Sequence, residues 1–170
     1  LGTLGVVKSV ESLDRLLDQT ALFLHRVVSR LPKDKLKLLQ QLQQATNILG
    51  GKKVLIVDDD ARNIFALTAA LEPKGVIVAS AENGATAIDL LKEMPDIDLV
   101  LMDIMMPEMD GYETMREIRK LAKFKKLPII ALTAKAMVGD REKCLEAGAS
   151  DYLSKPVNVE QLSSLMQVWL

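Results

Sequence analysis

The chain has 170 residues, 49% of them hydrophobic, with 22 Lys and Arg against 23 Asp and Glu for a net charge of -1. That length can bury a core without disulfide or metal staples, and the balanced charge leaves no basic footprint for nucleic acid or an anionic membrane. Cys144 has no partner for an internal disulfide, no apolar run reaches the ~20 residues of a membrane span, and no signal peptide is visible, so the expected compartment is a reducing cytoplasm.

Residues 1–51 read as a helical arm. Leu13, Leu17, Thr20, Leu24, Val27 and Leu31 recur at spacings of 4, 3, 4, 3 and 4, a heptad stripe that Ser12 can cap and Pro32 should end. A second helix is predicted over 33–48. The stripe fits two arrangements equally: a coiled-coil seam through which the chain forms a homodimer, or an amphipathic linker folded onto its own domain. Gly50-Gly51 marks the joint with the rest of the chain. Because the chain starts at Leu1 rather than Met, it reads as a piece of a longer protein.

Residues 52–170 alternate strands and helices. Strands are predicted at 53–57, 76–80, 99–102, 128–132 and 151–154, and helices at 61–72, 84–93, 112–123, 137–147 and 159–169. Val54-Leu55-Ile56-Val57 and Leu99-Val100-Leu101-Met102 are apolar on both faces, as a parallel sheet covered on both sides requires. Pro73-Lys74-Gly75, Met94-Pro95 and Gly148 are stop signals between elements. The alternation implies a doubly wound α/β fold, whose functional crevice lies beyond the carboxyl ends of the strands.

The polar residues converge at that edge. The first strand runs into Asp58-Asp59-Asp60, the third into Asp103, the fourth into Thr133 and the fifth into Lys155-Pro156. Taken singly, each has a bland reading: loop acids, a turn residue, a solvated lysine. Asp60 is best read as the cap of the first helix. Together they are hard to explain by folding alone, because clustered carboxylates repel unless a cation neutralises them. Asp oxygens without His or Cys suit Mg²⁺ rather than zinc. A lysine to balance further negative charge and a threonine hydroxyl to donate to it complete a site for a transferred phosphoryl group.

The segments VLIVDDD at 54–60, LVLMDIMMPEMDG at 99–111, PIIALTA at 128–134 and GASDYLSKP at 148–156 resemble, in this order and spacing, the receiver domains of two-component signalling proteins. The resemblance covers residues 52–170. It implies a flavodoxin-like five-stranded parallel sheet of order 2-1-3-4-5, with Asp103 as phosphoacceptor. Mg²⁺ (or Mn²⁺) would be held by Asp59 and Asp103 directly, by Asp58 largely through water, and by the backbone carbonyl of Met105. Lys155 would pair with the phosphoryl oxygens, Thr133 would move to bond them, and Tyr152 would be the rotating aromatic switch. Pro107 and Gly111 would shape the loop after Asp103, and Lys155-Pro156 sits where receivers commonly carry a cis peptide. Met105 and Lys135 occupy positions that modulate dephosphorylation in the family, and an apolar Met105 cannot orient an attacking water.

The implied phosphodonor is a histidine kinase or a phosphotransfer domain, and the arm resembles linkers of hybrid sensor kinases, which makes a C-terminal receiver module of such a kinase the expected context. Lys8-Ser9-Val10 weakly echoes Lys155-Pro156-Val157, as the tail of a preceding receiver-like domain would, although chance accounts for so short a match more readily. His25, the single histidine, lacks the neighbours a kinase or phosphotransfer histidine requires and reads as a linker residue. No glycine-rich nucleotide loop is present, so this stretch is not itself a kinase. Two other functions compete. A receiver-like module used only for protein contacts is disfavoured by the complete set Asp58, Asp59, Asp103, Thr133 and Lys155. A metal-dependent phosphohydrolase is disfavoured by Met105, which stands where a second acid would be wanted.

Overall fold

A computed structural model of the chain describes residues 48–134 and 139–170. The heptad stripe, the second arm helix, His25, the Lys8 echo and Lys135 lie outside the described residues.

The elements run β1 (Lys53–Val57), α1 (Ala61–Leu71), β2 (Ile77–Ala81), α2 (Gly84–Glu93), β3 (Leu99–Asp103), α3 (Gly111–Lys120), β4 (Ile129–Thr133), α4 (Asp140–Glu146), β5 (Asp151–Ser154) and α5 (Val159–Trp169). Single 3₁₀ turns follow α1 at Glu72–Lys74 and α3 at Ala122–Phe124. The five strands pair in parallel in the order β2-β1-β3-β4-β5.

Strand periodicity sorts the core into two layers. Val54 and Ile56 of β1, Leu99 and Leu101 of β3, and Ile130 and Leu132 of β4 pack with Leu67 and Leu71 of α1 and Leu162 and Met166 of α5. Their neighbours Leu55, Val57, Val100, Met102, Ile129 and Ala131 pack on the opposite face with residues of α2, α3 and α4. The central strands are therefore apolar on both faces, and truncating a side chain such as Leu101 to Ala should cost about 2–5 kcal/mol. The helices start where short polar side chains satisfy free N–H groups: Asp60 accepts from Arg62, Asn83 from Thr86, Asp110 from Glu113, and Asn158 from Glu160 and Gln161.

Several predicted boundaries move. The second and fourth strands each begin and end one residue later than predicted. Pro128 has no N–H to give, yet its carbonyl accepts from Val100, so regular pairing opens at Ile129. The third strand extends one residue to take in Asp103. The third helix begins earlier, at Gly111 behind its Asp110 cap, and ends at Lys120, because Leu121 turns extended (ψ 115°) before the 3₁₀ turn. The fourth helix begins at Asp140, after Gly139 at φ +100°, rather than at 137; residues 135–138 lie outside the described residues.

Candidate functional site

Strand order determines where the site forms. The chain leaves β1 toward β2 on one side and returns to β3 on the other, which opens a crevice at the carboxyl ends of β1 and β3. The parallel register pairs Val57 with Met102, so the next residues out, Asp58 and Asp103, emerge side by side. Ser154 pairs with Thr133 across β4 and β5, which sets Lys155 at the same rim, its backbone N–H donating to the Thr133 carbonyl at 2.7 Å. The Lys155–Pro156 peptide is cis.

Lys155 bridges the acids. Its Nζ lies 2.8 Å from Asp58 Oδ2 and 3.1 Å from Asp103 Oδ2. Asp58 is 0% exposed and Asp103 3%. Asp59 is exposed at the mouth, and one carboxylate oxygen from each of Asp58, Asp59 and Asp103 lies within 4.8 Å of the others. Burial raises the Asp103 carboxyl above its ordinary range, more than the hydrogen bond and charge of Lys155 lower it. On Lys155, desolvation pulls downward, but its hydrogen bonds to Asp58 and Asp103 and their charges outweigh it and hold the ammonium. Two buried carboxylates share a single ammonium, so negative charge is in excess. An oxygen-only donor set in that condition fits a hard divalent cation.

Around the acids, Thr133 is buried at the end of β4, and Tyr152 on β5 is half-buried against the α2–α3–α4 layer. The Met105 backbone N–H donates to Asp103 Oδ1 at 3.3 Å, while the residue is 62% exposed. Asp60 caps α1, as predicted, and Arg62 clamps its carboxylate, holding the acid well below its ordinary value, at about 2. An open cleft of about 200 Å³ lies between α1 and the β5–α5 loop, with Asp58 and Lys155 in its wall. A larger hollow of about 420 Å³ runs between β5 and α5 and contains none of the three clustered acids.

Sequence reasoning missed Asn63. Its Nδ2 donates to both oxygens of Asp58, at 3.0 and 3.1 Å. The only signal was its position one turn into a helix that starts at the acid cluster.

Residues 54–167 match the family model of the response regulator receiver domain. The chain is similar to the signal transduction histidine-protein kinase BarA of Shigella flexneri, at 43% identity over 113 residues, which cover 66% of this chain and 12% of that kinase. It thus spans only a small part of that relative. Among solved structures it is similar to the receiver domain of a sensor histidine kinase from Pseudomonas aeruginosa PAO1, whose active-site cleft coordinates a magnesium ion. That match has a TM-score of 0.65 and 39% identity, covering 71% of this chain and 98% of the other. The chemotaxis protein CheY4 of Vibrio cholerae gives a TM-score of 0.67 at 29% identity, covering 70% of this chain and 98% of the other.

Proposed function

Because the chain belongs to the response regulator receiver domain family, we propose that it accepts a phosphoryl group on Asp103 from a phosphohistidine donor. An Asp103 carboxylate oxygen attacks phosphorus, the P–N bond breaks, and the imidazole leaves with the electron pair and takes up a proton. The product is an acyl phosphate. The observation that carries this reading is the Lys155 ammonium shared between Asp58 and Asp103 at 2.8 and 3.1 Å, beside a third carboxylate.

Each residue has a role in this reading. Lys155 is already within reach of the reacting carboxylate and pairs with the incoming phosphoryl oxygens as they arrive. The Met105 N–H holds Asp103 Oδ1 and Lys155 pairs with Oδ2, so the carboxylate is oriented before the donor arrives. Asp59, Asp103, the Met105 carbonyl and, through water, Asp58 would hold Mg²⁺ or Mn²⁺, which would neutralise charge on the transferring group. Once the acyl phosphate forms, its oxygens recruit the Thr133 hydroxyl, and the shift of β4 lets the Tyr152 ring repack inward. The output is a changed surface around β4, α4 and β5 rather than a diffusible product.

In this reading residues 52–170 are the receiver and 1–51 a linker or dimerising arm, carried as the C-terminal module of a cytoplasmic hybrid histidine kinase. A histidine kinase core or phosphotransfer domain supplies the phosphoryl group. Among the described residues no helix is long and apolar enough to cross a membrane.

Incubation with acetyl phosphate and Mg²⁺, followed by intact-mass analysis, tests the proposal. One phosphoryl group per chain is expected, absent in Asp103→Asn and after chelation. No uptake by the unaltered chain would instead mark a module used only for contacts, and turnover of unrelated phosphate esters a hydrolase.

A further inference from the structure

We propose that Asn63 is a positioning residue of the acceptor site, its amide keeping the Asp58 carboxylate turned toward Lys155 and out of direct cation contact. This rests on the reading of Asp103 as phosphoacceptor.

An ionised carboxylate has about four acceptor positions. In Asp58 four hydrogen bonds occupy them. Oδ1 takes the Asp60 N–H at 3.0 Å and the Asn63 amide at 3.0 Å; Oδ2 takes the same amide at 3.1 Å and Lys155 Nζ at 2.8 Å. Because one Nδ2 spans both oxygens, a cation-bound water can still share a carboxylate oxygen, whereas a cation binding Asp58 directly must displace one of these donors. The ordinary role of Asn near a helix start is capping, in which its oxygen accepts from a backbone N–H. That task in α1 belongs to Asp60, and the Asn63 group facing Asp58 is the donor nitrogen, which cannot cap. A Lys or Arg at 63 would also satisfy Asp58, but its charge would compete with the cation and with Lys155. The neutral amide fills two acceptor positions without adding charge.

Asp58 is 0% exposed, so water replaces a lost donor poorly. Without the amide, Asp58 recovers charge density, binds a cation more strongly and grips Lys155 harder. Lys155 is then less available to the phosphoryl oxygens. Cation affinity and transfer rate should therefore move in opposite directions, whereas a loosened site would weaken both.

The test uses the full chain as wild type, Asn63→Ala and Asn63→Gln, with folding checked by thermal melting. Mg²⁺ affinity is measured by calorimetry and transfer from acetyl phosphate at saturating Mg²⁺. Asn63→Ala is expected to bind Mg²⁺ about three- to tenfold tighter and to accept phosphate more slowly by a similar factor, the net scale of one ordinary hydrogen bond. Asn63→Gln, which keeps the amide on a longer arm, should restore part of both. If Asn63→Ala does not fold, Asn63→Ser carries the same expectation. Any outcome other than opposite shifts overturns the proposal. If the wild type takes no phosphoryl group, the phosphoacceptor reading fails instead, while the calorimetric arm still reports on Asn63.

Discussion

Met105, two residues past Asp103, is 62% exposed, so the side chain at that position is apolar and open to water. A thioether is too weak an acceptor to hold a water in line with an acyl phosphate. The phosphorylated protein should therefore be long-lived, and Met105→Gln should shorten its half-life by about tenfold by supplying an amide that positions water. Following loss of the phosphoryl group by mass after removal of the donor checks this; equal decay of the two proteins would contradict it. At this scale the sequence was legible where residue type opposed its expected surroundings. Asp58, Asp59, Asp103, Thr133 and Lys155 are polar groups at the ends of apolar strands, and no folding requirement explains them. Asn63 carried no such contrast, because an Asn in the first turn of a helix is ordinary until its amide is seen against Asp58.

Between elements, two contacts bear on stability and on the loop after Asp103. Tyr112 at the start of α3 packs against the core layer that contains Cys144 of α4. Burial, and after it the neighbouring Cys144, push the phenol up to about 12, and burial pushes the Cys144 thiol up as well. A raised acid binds its proton more tightly in the folded state, so the buried neutral groups contribute stability that is complete below the ordinary values of 9.0 and 10.0. That stability is lost as pH climbs toward about 12. Urea melts at pH 8, 10 and 11 should show a decline that is shallower in Tyr112→Phe. The second contact is Gly111, at the first position of α3. A Cβ there would meet the Asp103 carbonyl oxygen at 2.2 Å and Ile104 Cα at 2.8 Å, both backbone atoms. Gly111→Ala must displace the loop that follows Asp103, and should lower the transfer rate more than tenfold while costing about 1–3 kcal/mol of stability. Comparing its melt with its phosphorylation rate checks both numbers. The ten elements of the fold were legible from apolar runs and stop signals. Their ends were less so, since helix three stops at Leu121 through a backbone turn that leaves no mark in residue type. Strand order came from family resemblance rather than periodicity, because an alternating pattern does not say which strands are neighbours.

For the molecule as a whole, the site is a local excess of negative charge that the fold tolerates. Asp58 and Asp103 share the Lys155 ammonium, and Asp59 adds a third carboxylate at the mouth. Repulsion among them opposes folding, and a cation that binds only the folded arrangement removes that penalty by mass action. Two consequences separate this account from one in which the acids are merely surface residues. Mg²⁺ at about 100 times its dissociation constant should stabilise the wild type by about 2.7 kcal/mol, a gain that chelation reverses. Asp59→Asn, which removes one charge while keeping the shape, should melt a few degrees higher than wild type in Mg²⁺-free buffer and lose most of the Mg²⁺-dependent gain. Because Asp59 is exposed, its repulsion is screened, so the difference between the two metal-free proteins should shrink as salt rises toward 1 M, where the Debye length is about 3 Å. Thermal melts across Mg²⁺ and salt concentrations measure all three effects together. An Asp59→Asn protein that melts below wild type without Mg²⁺, or that keeps the full gain with it, would mean that Asp59 shares no cation with Asp58 and Asp103.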